Sequence, residues 1–162
     1  MSASTLLSRL SLVAGATLAL VALTPFAAHA ESVKGMLGGY HFSGSVDELS
    51  AKAGSKEALI TELLSLRRDT KTPFVAVRAE KVLLELAGDT RVRTALEEDA
   101  TSKEFLGLAR TVAVHIDKVE DTGVRRALAG SLLKRGDGDK SISKILQESK
   151  DPEISAAARS AE

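Results

Sequence analysis

Apolar residues recur at helical spacing along almost the whole chain from Ser45 onward. Within residues 56–68, for example, Leu59, Leu63 and Leu66 fall on one stripe, and later segments repeat this pattern. Spacings of three and four residues place side chains on the same face of an α-helix. No run of residues shows the alternation of β-branched and polar side chains that is typical of a strand. The pattern therefore predicts an all-α protein.

Helix-capping signals divide this part of the chain into short helices. A serine or threonine followed three residues later by glutamate, as at Ser45 and Thr101, predicts a capping box at a helix N-terminus. Thr72-Pro73 and Asp151-Pro152 also predict helix starts, because proline is well tolerated at the first helical position. Short amphipathic helices joined by tight turns favour a short α-solenoid of stacked antiparallel helical hairpins, and an ordinary helical bundle is the alternative.

The first 30 residues have the three parts of a secretory signal peptide. Arg9 is the only charged residue among them, an apolar run from Leu10 to Leu23 follows it, and the segment ends in the small-x-small pattern Ala28-His29-Ala30. A membrane-spanning helix needs about 20 apolar residues, and this run is shorter. We expect cleavage after Ala30, which divides the chain into a signal peptide (1–30), a glycine-rich irregular lead segment (31–45) and a helical domain (46–162).

The composition limits the partners of the exported protein. The chain has 22 basic and 22 acidic residues, and this balance argues against nucleic acid, which would favour a basic patch. After the leader no apolar run is long enough to cross a membrane, so we expect no membrane span after cleavage. The sequence contains no cysteine, which excludes disulfides and thiolate chemistry within it. We therefore expect a periplasmic or secreted protein that packing alone stabilises.

The C-terminal part of the chain repeats a helical unit. The stretch VRRALAGSLLKRGDGDKSISKILQESKDPEISAAARSA has valine-arginine before an alanine, then leucines, a Gly-Asp turn, a second short helix and an Asp-Pro-Glu start of the next unit. Val124 and Ile154 stand at equivalent positions 30 residues apart, and an earlier stretch shows the same order at Val77-Arg78 and Gly88-Asp89. This pattern resembles the HEAT-like repeats of the short bacterial type over residues 55–162. The resemblance implies stacked helical hairpins and specifies no activity.

The stretch RGDGDKSISKILQE, from Arg135 to Glu148, has the acidic residues of a calcium-binding loop but not its geometry. In a loop counted from Asp137, the sixth position needs glycine for a sharp turn, and Ile142 occupies it. We therefore predict a simple turn here, with Asp139 as the N-cap of the following helix.

Motifs for catalysis or cofactor binding do not stand out in the sequence. His115 has no second ligand one helical turn further on, so we interpret it as a partly buried structural histidine. The chain contains no nucleophile elbow, no zinc-protease helix and no phosphate-binding glycine loop. We expect a protein that is not an enzyme and that uses no metal and no cofactor.

Charged side chains on the early helices are the remaining candidates for a binding surface. Arg78, Lys81, Arg91 and Arg93 make this region basic, and charges from successive units of a solenoid can line one concave face. We predict that these four residues bind a partner. The expected function is a non-enzymatic scaffold or adaptor that binds another protein in the bacterial envelope. The alternatives are a small helical bundle with a structural or stress-protective role, and an immunity or inhibitor protein for an envelope toxin.

Overall fold

A computed structural model describes residues 27–39, 44–69, 71–135 and 140–161, with the backbone alone for residues 27–32. These residues form α-helices and a short 3-10 turn, and no strand occurs among them, so the predicted all-α class is confirmed. The elements are α1 (Ala27–Gly38), α2 (Val46–Ala53), α3 (Lys56–Leu66), α4 (Pro73–Glu85), α5 (Thr90–Thr101), α6 (Leu106–Val114), the 3-10 turn (Ile116–Lys118), α7 (Thr122–Leu133), α8 (Lys140–Gln147) and α9 (Pro152–Ser160).

Alternate helices contact each other and form two rows. We call α3, α5, α7 and α9 the odd row, in which each helix contacts the next, and α4, α6 and α8 the even row. Successive helices pair across the rows, as α3 does with α4, and α1 packs beside α4 at one end of the even row. The short helix α2 packs against α1 and α3, and it ends at Gly54, whose φ of 91° lies in the left-handed region that favours glycine.

The apolar stripes of the two rows face each other and form the core. Leu59 and Leu63 of α3, Leu83 of α4 and Leu128 of α7 are fully buried, as the helical periodicity predicts. Complete burial of one leucine contributes about 1.5–3 kcal/mol. Isolated helices of this length are marginal in water, so packing between the rows supplies most of their stability.

The segment at residues 31–45 differs from its prediction as irregular structure. Residues 31–38 belong to α1, so the prediction is wrong for them. Val33 and Leu37 lie one helical turn apart and are both fully buried. The Arg78 guanidinium donates to the carbonyl oxygens of Leu37, at 2.5 Å, and Gly39, at 2.6 Å. Burial of these two side chains and satisfaction of the last carbonyl groups stabilise a helix despite its glycines.

Capping contacts confirm several predicted helix starts and correct another. The Ser45 hydroxyl accepts the N–H of Glu48 while the Glu48 carboxylate accepts the N–H of Ser45, which is the predicted capping box. Asp151 caps α9, also as predicted, and Asp121 caps α7 in the same way. Thr101 is instead the last residue of α5, and its hydroxyl donates to a carbonyl oxygen of the preceding turn. The prediction of a capping box there is wrong, because a buried stripe continues α5 to its end.

Residues 1–26 lie outside the described residues, so the signal peptide stays a prediction. None of the helices within the described ranges is long and apolar enough to cross a membrane.

Replacement of Leu83 by alanine should lower the free energy of unfolding by about 2–5 kcal/mol, because buried methyl groups are lost and a cavity remains. Val114→Ala is the matched control, since Val114 is 56% exposed on the same row and its truncation should change stability by less than about 0.5 kcal/mol. Urea unfolding followed by circular dichroism measures both changes. If the Leu83→Ala protein had the same free energy of unfolding as the wild type, the inner face of α4 would be misassigned.

Candidate functional site

The four basic residues predicted to bind a partner are divided between the two rows. Arg78 and Lys81 belong to α4, and Arg91 and Arg93 belong to α5. The Arg91 guanidinium pairs with Asp89, the N-cap of its own helix, at 3.2 Å. Arg78 stabilises the C-terminal end of α1. Its guanidinium also lies 5.8 Å from the centre of the ring of Phe74, on the same helix. Arg78 and Lys81 are therefore the pair that belongs to the even row.

A groove opens between the turn that joins α3 to α4 and the turn that joins α5 to α6. Its volume is about 310 Å³, near the lower end of the range of about 300–1,000 Å³ that is usual for ligand pockets. Most of its lining is apolar and is contributed by Pro73, Ala76, Val77, Phe105, Gly107 and Leu108. We call this feature the α4–α6 groove.

A network of ion pairs ties together the two turns that form the groove. Arg67, which follows α3, donates to the carboxylate of Asp99 and, at 3.0 Å, to the carbonyl oxygen of Ala95, both on α5. Arg68 donates to the carboxylates of Glu98 at 3.1 Å and Asp99 at 3.2 Å. Asp99 is fully buried and Arg67 is 7% exposed, so their pairing has to offset a large loss of hydration. The end of α3 is thereby fixed against the end of α5.

Arg68 also forms one side of the groove itself. Its guanidinium lies 4.9 Å from the centre of the Phe105 ring, within the distance of about 6 Å at which cation–π attraction acts. The Arg68 side chain is 42% exposed, so it reaches solvent at the edge of the groove. The wall can accept an apolar side chain against the ring.

Asp69 organises the turn between α3 and α4. Its carboxylate accepts from the Lys34 ammonium at 2.7 Å, from the Thr72 hydroxyl at 2.8 Å and from the backbone N–H of Lys71 at 2.9 Å. These contacts, the one with Lys34 first, hold the pKa of Asp69 well below its usual range. Thr72 is the N-cap residue of α4 and Pro73 follows it at the start of the helix, as predicted, but the Thr72 hydroxyl donates to Asp69 and makes no capping bond to α4.

Glu80 lies on α4 one turn after Ala76, which lines the groove. It is fully buried, and neither carboxylate oxygen has a hydrogen-bond partner in the part of the chain that the structure describes. Burial raises the pKa of Glu80 to about 8, the negative charge of Asp99 contributes to the rise, and Arg67 and Arg68 act in the opposite direction. Glu80 is therefore mostly protonated and uncharged at neutral pH.

The exposed large apolar side chains of the described residues all lie on the even row. Phe74 is 51% exposed and Val77 is 40% exposed, both near the start of α4, and Val114 at the end of α6 is 56% exposed. Val77 and Leu108 both line the groove, and the positive charge of Lys81 acts on His115, so α4 and α6 run in the same direction. The even row therefore exposes apolar side chains, of which Val77 lies in the groove.

His115 follows α6 and is half-buried, which agrees with its interpretation as a partly buried histidine. Burial lowers its pKa, and the positive charges of Lys81 and Lys118 lower it further. No cluster of three or more His, Cys, Asp or Glu side chains within the described ranges could hold a metal ion. Asp137 and Asp139 lie outside the described residues, so the simple turn predicted there stays a prediction.

The sequence prediction missed the residues that build the groove and its support. Phe105 stands at helical spacing from Leu108 and Ala109, which predicts a place on their buried face, but it precedes α6 and is only partly buried, because the helix begins at Leu106. Glu80 does leave a signal in the sequence. It stands four residues from Ala76 and from Leu84, both buried, so an acidic residue interrupts a second apolar stripe of α4.

The groove offers an apolar recess, an aromatic wall and a neighbouring guanidinium, which together suit the binding of a side chain from another molecule. Comparison of the chain with family models, curated proteins and solved structures found no match. The function of the groove is therefore inferred from its geometry and charge.

Glu80→Gln should remove a pH dependence of folding stability. The pKa of Glu80 rises from an ordinary value of 4.5 to about 8 on folding. The neutral carboxyl therefore contributes stability that is fully present below pH 4.5 and is lost as the pH rises through about 8. Each unit of pKa shift corresponds to ~1.4 kcal/mol, so the Glu80→Gln protein should gain a few kcal/mol relative to wild type as the pH rises through this window.

Urea unfolding of both proteins, from about pH 5 to about pH 9, measures this difference. Contributions from His115 cancel because both proteins contain it. Glu57→Gln, an exposed change on α3, is the control and should keep the wild-type pH dependence. Parallel stability curves for wild type and Glu80→Gln would contradict a protonated Glu80.

Proposed function

We propose that this chain is an exported, non-enzymatic scaffold that binds another protein of the bacterial envelope through the α4–α6 groove. The observation that carries the proposal is an apolar recess of about 310 Å³ with the exposed Val77 side chain in its wall. A recess with mostly apolar walls and a few polar groups at its edge is typical of a binding site.

The architecture that we propose is a short α-solenoid of stacked antiparallel hairpins of the HEAT-like type. Contacts from helix to helix within each row support it, as does the 30-residue spacing of Val124 and Ile154. In such an array each unit packs only on its neighbours, and one side of a row stays open along its length. We assign the open side of the even row to the partner, because the groove lies there.

Export is proposed from the leader pattern of residues 1–30. A chain without cysteine suits an oxidising compartment, since it has no thiol that could form an unwanted disulfide. The partner would then be another envelope protein. Adaptor and inhibitor roles both fit a groove that holds a partner side chain, whereas a purely structural bundle has no use for one.

A photoreactive amino acid at position 77, in the groove wall, tests the proposal. Val77 is replaced by p-benzoylphenylalanine in the exported chain, the cells are irradiated, and crosslinked proteins are identified by mass spectrometry. We expect a discrete protein adduct. The same replacement at Thr94, exposed on α5 of the odd row, should yield no such adduct.

Gly107→Trp provides the matched block. A Cβ at Gly107 meets no atom within 4 Å and Gly107 lines the groove, so we expect a tryptophan there to occupy the groove. The block should lower the yield of the adduct about tenfold, the effect of ~1.4 kcal/mol of lost affinity. Gly130→Trp, at an equally open helical glycine of α7, should leave the yield unchanged. Adducts at Thr94 alone, or adducts indifferent to Gly107→Trp, would contradict docking in the groove.

A further inference from the structure

The charged side chains of the even row are mostly basic. Its helices carry five basic and two acidic residues, namely Arg78, Lys81, Arg110, Lys140 and Lys144 against Glu80 and Glu85. Glu80 is buried and mostly uncharged, and Glu85 is paired with Lys118 of the 3-10 turn. The helices of the even row therefore carry an excess of basic residues.

This excess belongs to the even row and not to the protein as a whole. The helices of the odd row carry six basic and six acidic residues, and the whole chain is balanced at 22 of each. A local charge excess on a neutral protein favours a partner of the opposite charge at that surface.

Apolar and basic side chains share the same stripes of the even row, which are exposed except at the partly buried Lys81. Phe74, Val77 and Lys81 follow one another at helical spacing along α4, and Arg110 and Val114 do so along α6. The next helix, α8, presents exposed lysines at positions 140 and 144. A ligand that crosses the row would meet the apolar groove and then a series of cations.

We propose that the docking segment of the partner is an acidic stretch of polypeptide with one apolar anchor side chain. The anchor enters the α4–α6 groove against Phe105, and carboxylates on the same segment face Lys81 and Lys144. This inference rests on the proposed function and adds the chemistry of the partner to it.

The recess and the placement of acidic groups favour a peptide over a lipid surface. A groove between two turns accepts a single projecting side chain, which a flat layer of headgroups does not supply. Glu104 and Asp69 line the groove and repel carboxylates from its mouth, so the acidic groups of the segment lie toward Lys81 and α8. Neighbouring helix axes are about 8–10 Å apart, so a path from α4 to α8 of roughly 20 Å needs about six extended residues at about 3.3 Å each.

Selection from a library of random 12-residue peptides on the immobilised full-length exported chain tests the inference. We expect the enriched peptides to be acidic and to contain an aromatic or large aliphatic residue. Their affinity should fall as salt is added, because exposed charges are screened. Lys81→Glu combined with Lys144→Glu should weaken binding of these peptides about tenfold or more.

Lys52→Glu combined with Lys134→Glu makes the same change in net charge on lysines outside the even row, and it should leave peptide affinity unchanged. Gly107→Trp should abolish binding of the anchor. Circular dichroism of each variant confirms that it is folded, so that lost binding is not lost structure.

The remaining outcomes separate this inference from the proposed function. Enrichment of neutral or basic peptides would overturn the inference that the docking segment is acidic. A crosslink at position 77 would still support a protein partner in that case. A library that enriches nothing, together with a groove-dependent crosslink, would overturn a short docking segment and leave the scaffold standing. Preferential binding to phosphatidylglycerol vesicles that depends on Lys81 and Lys144 would show that the ligand of this surface is an anionic membrane and not a peptide.

Discussion

The contact between the Arg67 guanidinium and the buried Asp99 carboxylate is the constraint on which the groove depends. Arg67 follows α3 and Asp99 lies near the end of α5, so the pair fixes the positions of the two turns that leave those helices. One turn leads into α4 and the other into α6, and the groove is the space between them. Charges withdrawn from water need close pairing, which makes their relative position specific.

The same constraint explains the electrostatics of the surrounding core. Because Asp99 keeps a negative charge in the interior, its field adds to the burial that keeps Glu80 protonated. Arg68 joins the network through Glu98 and Asp99 and covers the Phe105 ring from the side of the groove. An ion pair between α3 and α5 of the odd row therefore shapes a surface on the even row. Packing stabilises the rows, and this network positions the place where they can bind a partner.

Local patterns in the sequence predicted the helices and most of their buried faces. Leu59, Leu83 and Leu128 lie at helical spacing from their buried neighbours, and helical spacing is a property of a few consecutive residues. The helix start at Asp151 could be recognised for the same reason. The class of fold follows from such short-range signals.

The groove could not be predicted in this way, because its parts meet only through the packing of different hairpins. Arg67 and Asp99 are 32 positions apart, and nothing in either local sequence identifies the other as its partner. The position of Phe105 could not be predicted because a single apolar residue before α6 has the same spacing as one inside it. The charge excess of the even row becomes visible only after the helices have been sorted into rows.

The free energy of unfolding of Asp99→Asn, measured by urea titration beside Glu98→Gln, tests the role of the network most directly. Asp99 is fully buried and its loss leaves Arg67 without its main counter-charge, so we expect a loss of about 3–5 kcal/mol. Glu98 is 55% exposed, so its neutralisation should cost less than about 1 kcal/mol. Equal, small losses for both variants would contradict the account, since they would show that the turns around the groove hold their positions without the buried ion pair.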